Sequence, residues 1–297
     1  MAKILVTGAN GQLGSDVVTI MSQNHDVEGT DIDSVDIRNA DAVKSLVQRT
    51  RPAVVIHTAA YVDVDACESN AEEAMAINAT GTKNVATACQ EVGARMIYYS
   101  TDYVFDGSKQ TAYVEEDLAN PQTVYGLSKL HGEEWVRQVT QQFTILRVAW
   151  MYGRTGRNFI RAILKQGKEQ LRAREENRES QPVQVVGDQI GNPTWTEDIA
   201  YQTQMVIERE LHGTYHATSE GSCSWFELAK EVFNVMKMPV ELAECTSAEL
   251  SRPAKRPSNS VLSNAALERV GANRMRPYQL ALWEFLGRHG NEILDEV

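Results

Sequence analysis

Tyr125 and Lys129 stand four residues apart in "ANPQTVYGLSKLHGEEW" (119–135), a spacing that puts both on one face of a helix. Of the 10 tyrosines, only Tyr125 has a lysine at this offset. A free phenol titrates near 10, and a cation within roughly 4–6 Å favours the phenolate. The pair could therefore exchange a proton with a carbonyl or hydroxyl oxygen. Two hydroxyls, Ser100 and Thr101, end the apolar run "RMIYYST" just upstream. Either could bond the same oxygen and hold it in line with Tyr125.

A second constellation lies near the start of the chain. "VTGANGQLG" places Gly8, Gly11 and Gly14 between an apolar run and a helical pattern, spaced G-x-x-G-x-x-G. Glycines at a strand–turn–helix junction let backbone N–H groups approach a pyrophosphate at the helix N-terminus. Asp31, 17 residues past Gly14, ends the second apolar run. A carboxylate there bonds a ribose 2′-hydroxyl and repels a 2′-phosphate. No Arg or Lys adjoins it, which favours NADH. Asp33 and Asp36 follow closely, so the residue facing the ribose is undecided and NADPH stays open.

These groups need a scaffold. Apolar runs at 3–8, 26–31, 53–60, 95–101 and 143–153 read as strands. Helical patterns separate them at 12–23, 39–51 (N-cap Asn39; apolar Val43, Leu46, Val47), 69–93 (stop at Gly93) and around Tyr125. This alternation predicts an α/β fold with a Rossmann-type, doubly wound parallel sheet. Tyr125 then lies just past the fourth strand, at the edge where ligands sit. After Gly153 the rhythm breaks. We expect a dinucleotide-binding domain over 1–153 with a return segment near 194–211, and mainly a smaller C-terminal α/β substrate lobe over 154–297. Within that lobe, 165–181 reads as a solvated helix end or loop, "GTYHATS" as a short strand, and "SWFELAKEVF" as a core-packing helix capped by Ser224.

The chain has 297 residues, 42% hydrophobic, with a formal net charge of −11. The acidic balance argues against nucleic-acid partners and anionic membrane surfaces. Cys67, Cys89, Cys223 and Cys245 lie far apart and read as reduced thiols, neither a disulfide frame nor a zinc site. His212 and His216 flank a strand-like stretch, which argues against a metal pair. The apolar run in "MAKILVTGANG" is too short to be expected as a signal peptide, and there is no apolar run of about 18 residues. A cytoplasmic protein is expected.

Together the glycine loop, "HTAAY" (57–61), "STDYVFDG", "YGLSK", "RVAWMYG", "DQIGNPTWTEDIA" (188–200) and "RPSNSVLS" (256–263) resemble the dTDP-4-dehydrorhamnose reductase family of extended short-chain dehydrogenase/reductases. The resemblance runs from residue 3 to about 285. It implies reduction of the C4 ketone of a dTDP-linked 4-keto-6-deoxy sugar by NADPH or NADH. Thr101 would bond the reacting oxygen, Tyr125 donate the proton, and Lys129 partner it. Gly8, Asn10, Gly11, Gln12, Leu13, Gly14, Asp31, Asp36, Ile37, Ala59, Ala60 and Tyr61 would bind cofactor with Tyr125 and Lys129. Asp102, Val104, Phe105, Trp150, Asn158, Gln189, Pro193, Thr194 and Arg256 would lie near the nucleotide-sugar, Arg256 as a diphosphate clamp. No metal ligand is assignable, and a monomer or homodimer is expected. Related dehydratases carry Asp-Glu after the Thr, whereas Thr101-Asp102-Tyr103 lacks that Glu and favours simple reduction. The alternatives are a sister reductase of another 4-keto nucleotide sugar and a non-catalytic, cofactor-binding regulatory subunit.

Overall fold

The computed structural model describes residues 1–297. In chain order, β1 (Lys3–Thr7), α1 (Gln12–Met21), β2 (Asp26–Thr30), α2 (Ala40–Thr50) and β3 (Val54–His57) alternate as the patterning predicts. Then come α3 (Val64–Ser69), α4 (Ala71–Met75), a π-helical segment (Ala76–Gly81), α5 (Thr82–Val92) and β4 (Arg95–Thr101). A 3-10 turn (Asp102–Val104) follows, and then α6 (Val124–Val139), β5 (Phe143–Val148) and β6 (Met151–Tyr152). The remainder comprises α7 (Phe159–Glu175), β7 (Val183–Val186), β8 (Ile190–Gly191), β9 (Thr194–Trp195), α8 (Thr196–Glu208) and β10 (Gly213–His216). It ends with β11 (Cys223–Ser224), α9 (Trp225–Val235), β12 (Leu242–Cys245), α10 (Ser247–Leu250), α11 (Ala265–Arg269) and α12 (Tyr278–Glu296).

The main sheet is parallel throughout, ordered β10-β5-β4-β3-β1-β2. Its four inner strands are buried on both faces because helices cover both. Ile4 and Val6 pack with Val17, Ile20 and Ile199 on one side. Leu5 points the other way, into a layer with Val43, Leu46 and Val85. The chain leaves β1 in one direction to β2 and returns past it to β3. That reversal opens a crevice at the strands' C-terminal ends, where such sheets bind ligands. A second core joins α7, α9 and α12 through Ile160, Leu164, Leu228, Phe233, Leu282 and Phe285, beside the short β7–β12 pair.

Caps account for several boundaries. The Asn39 side chain accepts the Ala42 N–H, and Ser224 forms a reciprocal capping box with Glu227. Gly93 ends α5 at φ 73°. All four cysteines are buried and unpaired. No helix is long and apolar enough to cross a membrane.

The helix expected over 69–93 forms without interruption over 71–92, with π-helical geometry over Ala76–Gly81, while two other expectations are corrected. Asn70 turns back to donate to the Ala66 carbonyl, and Asn78 spends its side chain on Tyr61 and on Ser128 of α6. The strand expected over 143–153 stops at Val148, because Trp150 takes a left-handed φ of 44°. The stretch "GTYHATS", placed in the small lobe, instead supplies β10 to the main sheet, with Tyr215 opposite Leu146 of β5. The charged segment 165–181 is helical as far as Glu175, with Gly167, Gln170 and Ala173 facing inward.

Candidate active site

One cavity of about 960 Å³ follows the crevice from the glycine loop to the small lobe. Thr101, the last residue of β4, reaches it from the sheet edge. Tyr125 and Lys129 reach it from the first turns of α6. Thr123 caps that helix by accepting the Gly126 N–H at 3.0 Å. Gly126 lets α6 dock closely, since a Cβ there would lie 2.1 Å from the Tyr103 carbonyl oxygen. This contact holds Tyr125 beside the turn that follows Thr101.

The electrostatics of the centre differ from a simple phenol–ammonium pair. Burial raises the Tyr125 pKa, the Thr101 hydroxyl opposes that rise, and the Asp102 charge adds to it. Lys129 is buried and its pKa is pushed down to about 7, with Glu133 opposing the fall. Its ammonium lies over the Tyr98 ring, 4.2 Å from the centroid. Lys129, expected to favour the phenolate, does not figure among the influences on Tyr125, and burial of the phenol governs it.

Below Lys129 lies a buried charge network. Glu133 is fully buried and accepts two hydrogen bonds from Arg147, both 2.8 Å, and one from Arg137 at 2.7 Å. His57, behind the cavity, bonds Thr7 and Thr82, and burial pushes its pKa down to about 3. It is therefore neutral. Asp102 is also buried, and its carboxyl is raised to about 6 by burial, opposed by the hydroxyls of Ser260 and Thr101.

The other end fits a dinucleotide. Gln12, Leu13 and Gly14 open α1, and their N–H groups have no hydrogen-bond partner in the protein. The chain crosses itself here, because a Cβ on Gly14 would stand 2.0 Å from the Gly8 carbonyl oxygen. Gly8 itself has φ 75°. The turn thus offers free donors at a helix N-terminus with no side chain in front, which suits a diphosphate. Asp31 is tied to this loop by accepting the Asn10 N–H at 2.9 Å. Asp36 is instead held by the Arg38 guanidinium, at 2.7 Å. Asp33 lines a smaller recess of about 380 Å³ beside Asp31. The cations in the walls of the two cavities are Lys129 and Arg157, neither of them next to Asp31.

Gly8, Asn10, Gly11, Gln12, Leu13, Gly14, Asp31, Asp36, Ile37, Ala59, Ala60, Thr101, Asp102, Tyr125, Lys129 and Trp150 line the one cavity. Tyr61 lies just outside, its N–H donating to Asn78, which also donates to Ser128 of α6. Asn158 caps α7 and donates to Gln12. Other placements differ from expectation. Val104 and Phe105 are in the core, Phe105 stacked on Tyr113 at 4.3 Å, so neither lines the cavity. Pro193 and Thr194 are buried, and the Thr194 hydroxyl donates to the Asn192 carbonyl. Gln189 stands behind Trp225, accepting its indole N–H. Arg256 is paired with Asp65 of α3 through two bonds of 2.8 and 3.0 Å.

Trp225 and Phe159 were missed. The Trp225 indole lies parallel to Trp150, with centroids 3.5 Å apart, and Phe159 tilts against it at 4.6 Å. These rings wall the cavity from the small-lobe side. The position of Trp225 directly after a helix cap, where side chains are half-exposed, was the available signal.

Comparison with known proteins bears on this geometry. A family model described as RmlD substrate binding domain matches residues 2–290. A dTDP-4-dehydrorhamnose reductase from Streptomyces griseus is 38% identical, covering 97% of this chain and 96% of that protein. The structure of a dTDP-4-dehydrorhamnose reductase from Clostridium acetobutylicum superimposes with a TM-score of 0.91 at 40% identity, over 96% of this chain and 98% of that one. The Bacillus anthracis dTDP-4-dehydrorhamnose reductase, solved in complex with NADP, gives 0.91 at 36% identity, over 97% and 99%.

Proposed function

The chain belongs to the RmlD substrate-binding-domain family of dTDP-4-dehydrorhamnose reductases, and on that premise we propose that it reduces the C4 ketone of dTDP-4-dehydro-L-rhamnose to dTDP-L-rhamnose with Tyr125 as proton donor. It is an NAD(P)H-dependent oxidoreductase of dTDP-rhamnose biosynthesis, working in the cytoplasm as a monomer or homodimer. The observation that carries the assignment is the continuity of one cavity from the free N–H groups of α1 to Thr101, Tyr125 and Lys129.

The nicotinamide cofactor supplies a hydride. The residues of the chain do the rest. The N–H groups of Gln12, Leu13 and Gly14 bind the diphosphate, and Asp31 takes ribose hydroxyls. Lys129 anchors the second ribose. Thr101 orients the ketone oxygen, and Tyr125 gives it a proton as the carbon is reduced. Tyr125 holds its proton at neutral pH and so enters the reduction as the acid, with burial making that phenol a weaker one. Trp150 and Trp225 offer the sugar an aromatic wall.

Purified protein should oxidise NADH or NADPH, followed at the nicotinamide absorbance band, only when dTDP-4-dehydro-L-rhamnose is added. No turnover with that sugar, or full turnover by Tyr125→Phe, defeats the assignment. UDP- and GDP-linked ketones, assayed in parallel, separate a sister reductase. Tight cofactor binding without turnover of any ketone marks a regulatory subunit.

A further inference from the structure

Asp102 is the only acidic side chain at the reaction end of the cavity, and its surroundings are unusual for a carboxylate. It is 2% exposed. Oδ1 accepts the Thr101 hydroxyl proton at 3.0 Å, while Oδ2 is buried without a hydrogen-bond partner. A buried carboxylate oxygen left unsatisfied is costly, and protonation relieves that cost. The titratable groups facing it are Tyr103 from the 3-10 turn and Tyr125 from α6. Ser260, from the segment leading to α11, contributes a hydroxyl. No cation figures among the influences on Asp102; the charges of Arg252 and Arg256 act on Tyr103 instead.

Donor accounting at Thr101 gives this arrangement a consequence. A hydroxyl has one proton and two lone pairs. The Thr101 proton goes to Asp102, and one lone pair takes the Tyr103 N–H at 3.2 Å. Thr101 can then only accept from anything in the cavity. A ketone oxygen can only accept as well, and the one proton of an alcohol is needed by Tyr125, so this arrangement holds neither in a reactive pose. With a proton on Asp102, the acid O–H donates to the remaining lone pair of Thr101. The Thr101 proton is then free to turn into the cavity towards the ketone.

We infer that Asp102 is a positioning residue whose proton sets the direction of the Thr101 hydroxyl, the carboxylic acid freeing it for the substrate oxygen in both directions of the reaction and the carboxylate withdrawing it. No proton is consumed at Asp102 in either direction, because Tyr125 exchanges the proton with the substrate oxygen. The inference rests on the reductase assignment. Burial lifts this carboxyl to about 6, so its midpoint lies in the mildly acidic range.

Two measurements test it. The pH dependence of kcat is recorded for reduction and for the reverse oxidation in the wild type, Asp102→Asn and Ser260→Ala. Separately, the carboxyl is titrated by infrared difference spectroscopy on ligand-free protein, its band assigned by its loss in Asp102→Asn. Wild-type reduction should lose about tenfold per pH unit above the carboxyl midpoint, and oxidation should carry a falling limb with the same midpoint, because both directions cross one transition state. Asp102→Asn should be flat in both directions there. Ser260→Ala removes a hydroxyl that favours the charged form, so its limb and its infrared midpoint should move upward together. A limb that persists in Asp102→Asn, or that stays put while the Ser260→Ala carboxyl midpoint moves, overturns the inference. A carboxyl that titrates near 4 overturns it without any turnover. Absence of ketone reduction by the wild type counts against the reductase assignment instead, and the two failures are distinct.

Discussion

Replacing Lys129 by Met should stabilise the protein while abolishing turnover. The side chain is buried, and its pKa is pushed from the usual 10.5 to about 7, chiefly by desolvation of the ammonium. At about 1.36 kcal/mol per pKa unit, the charged form carries a ceiling of about 5 kcal/mol against folding. Contact of the ammonium with the Tyr98 face returns about 2 kcal/mol of this, leaving about 3. Met keeps the apolar stem and drops the charge. With an unfolding entropy of about 2.1 cal/mol/K per residue, a chain of this length should gain about 5 °C in Tm. The sign with pH is fixed. Below pH 7 the lysine is charged in both folded and unfolded states, and the whole cost is present. Above 7 the folded state sheds its proton first, so the cost shrinks and vanishes near 10.5. Thermal unfolding of both ligand-free proteins by near-UV circular dichroism, at pH 6.5 and 9.5 and equal ionic strength, reads this directly. A Tm gap equal at the two pH values, or a wild type more stable at pH 6.5, refutes the reasoning.

Glu133→Gln should cost about 3–5 kcal/mol in urea unfolding at pH 7, because Arg147 is left buried opposite an uncharged amide. An unchanged denaturation midpoint would show that the network contributes nothing. Asp31→Ala should raise the ratio of kcat/KM for NADPH over NADH about tenfold by removing a carboxylate that repels the 2′-phosphate; a constant ratio would show that Asp31 does not face that ribose. Trp225→Ala should raise the nucleotide-sugar KM about threefold to tenfold and leave the cofactor KM unchanged, since only the small-lobe end loses its stacked ring. Equal changes in both would place Trp225 outside the sugar site.

What could be read from the sequence were features set by neighbouring residues. Gly8, Gly11 and Gly14 sit between a strand and a helix, and the approach of Gly14 to the Gly8 carbonyl is set within that junction, whereas Gly8 is also crowded by Thr58 and Ala59 beyond β3. The i, i+4 offset of Tyr125 and Lys129 is likewise local, as are the caps at Asn39 and Ser224. What escaped depends on partners distant in the chain. Nothing near Trp150 announces a left-handed φ, because its indole packs over Gly191, more than forty residues on. The pairing of Arg256 with Asp65 spans 191 residues. The π-helical segment is invisible to hydrophobic periodicity, since it answers to the bonds Asn78 makes with Tyr61 and Ser128. The sign of the Tyr125 environment was missed for the same reason: burial of a phenol is set by the whole fold, whereas its lysine neighbour is written beside it.

The Trp150–Trp225 stack also makes the molecule its own optical gauge. Two indoles face to face at 3.5 Å and 3° share their excited states, so they absorb and emit as a pair. One ring hangs from the end of β5 in the main sheet and the other opens α9 in the small lobe. Any movement between those two bodies must change the coupling. The remaining three tryptophans, Trp135, Trp195 and Trp283, lie outside the stack and supply a steadier background. A split near-ultraviolet dichroic band, lost in either single variant, would report the gap between the two halves of the cavity with no label attached.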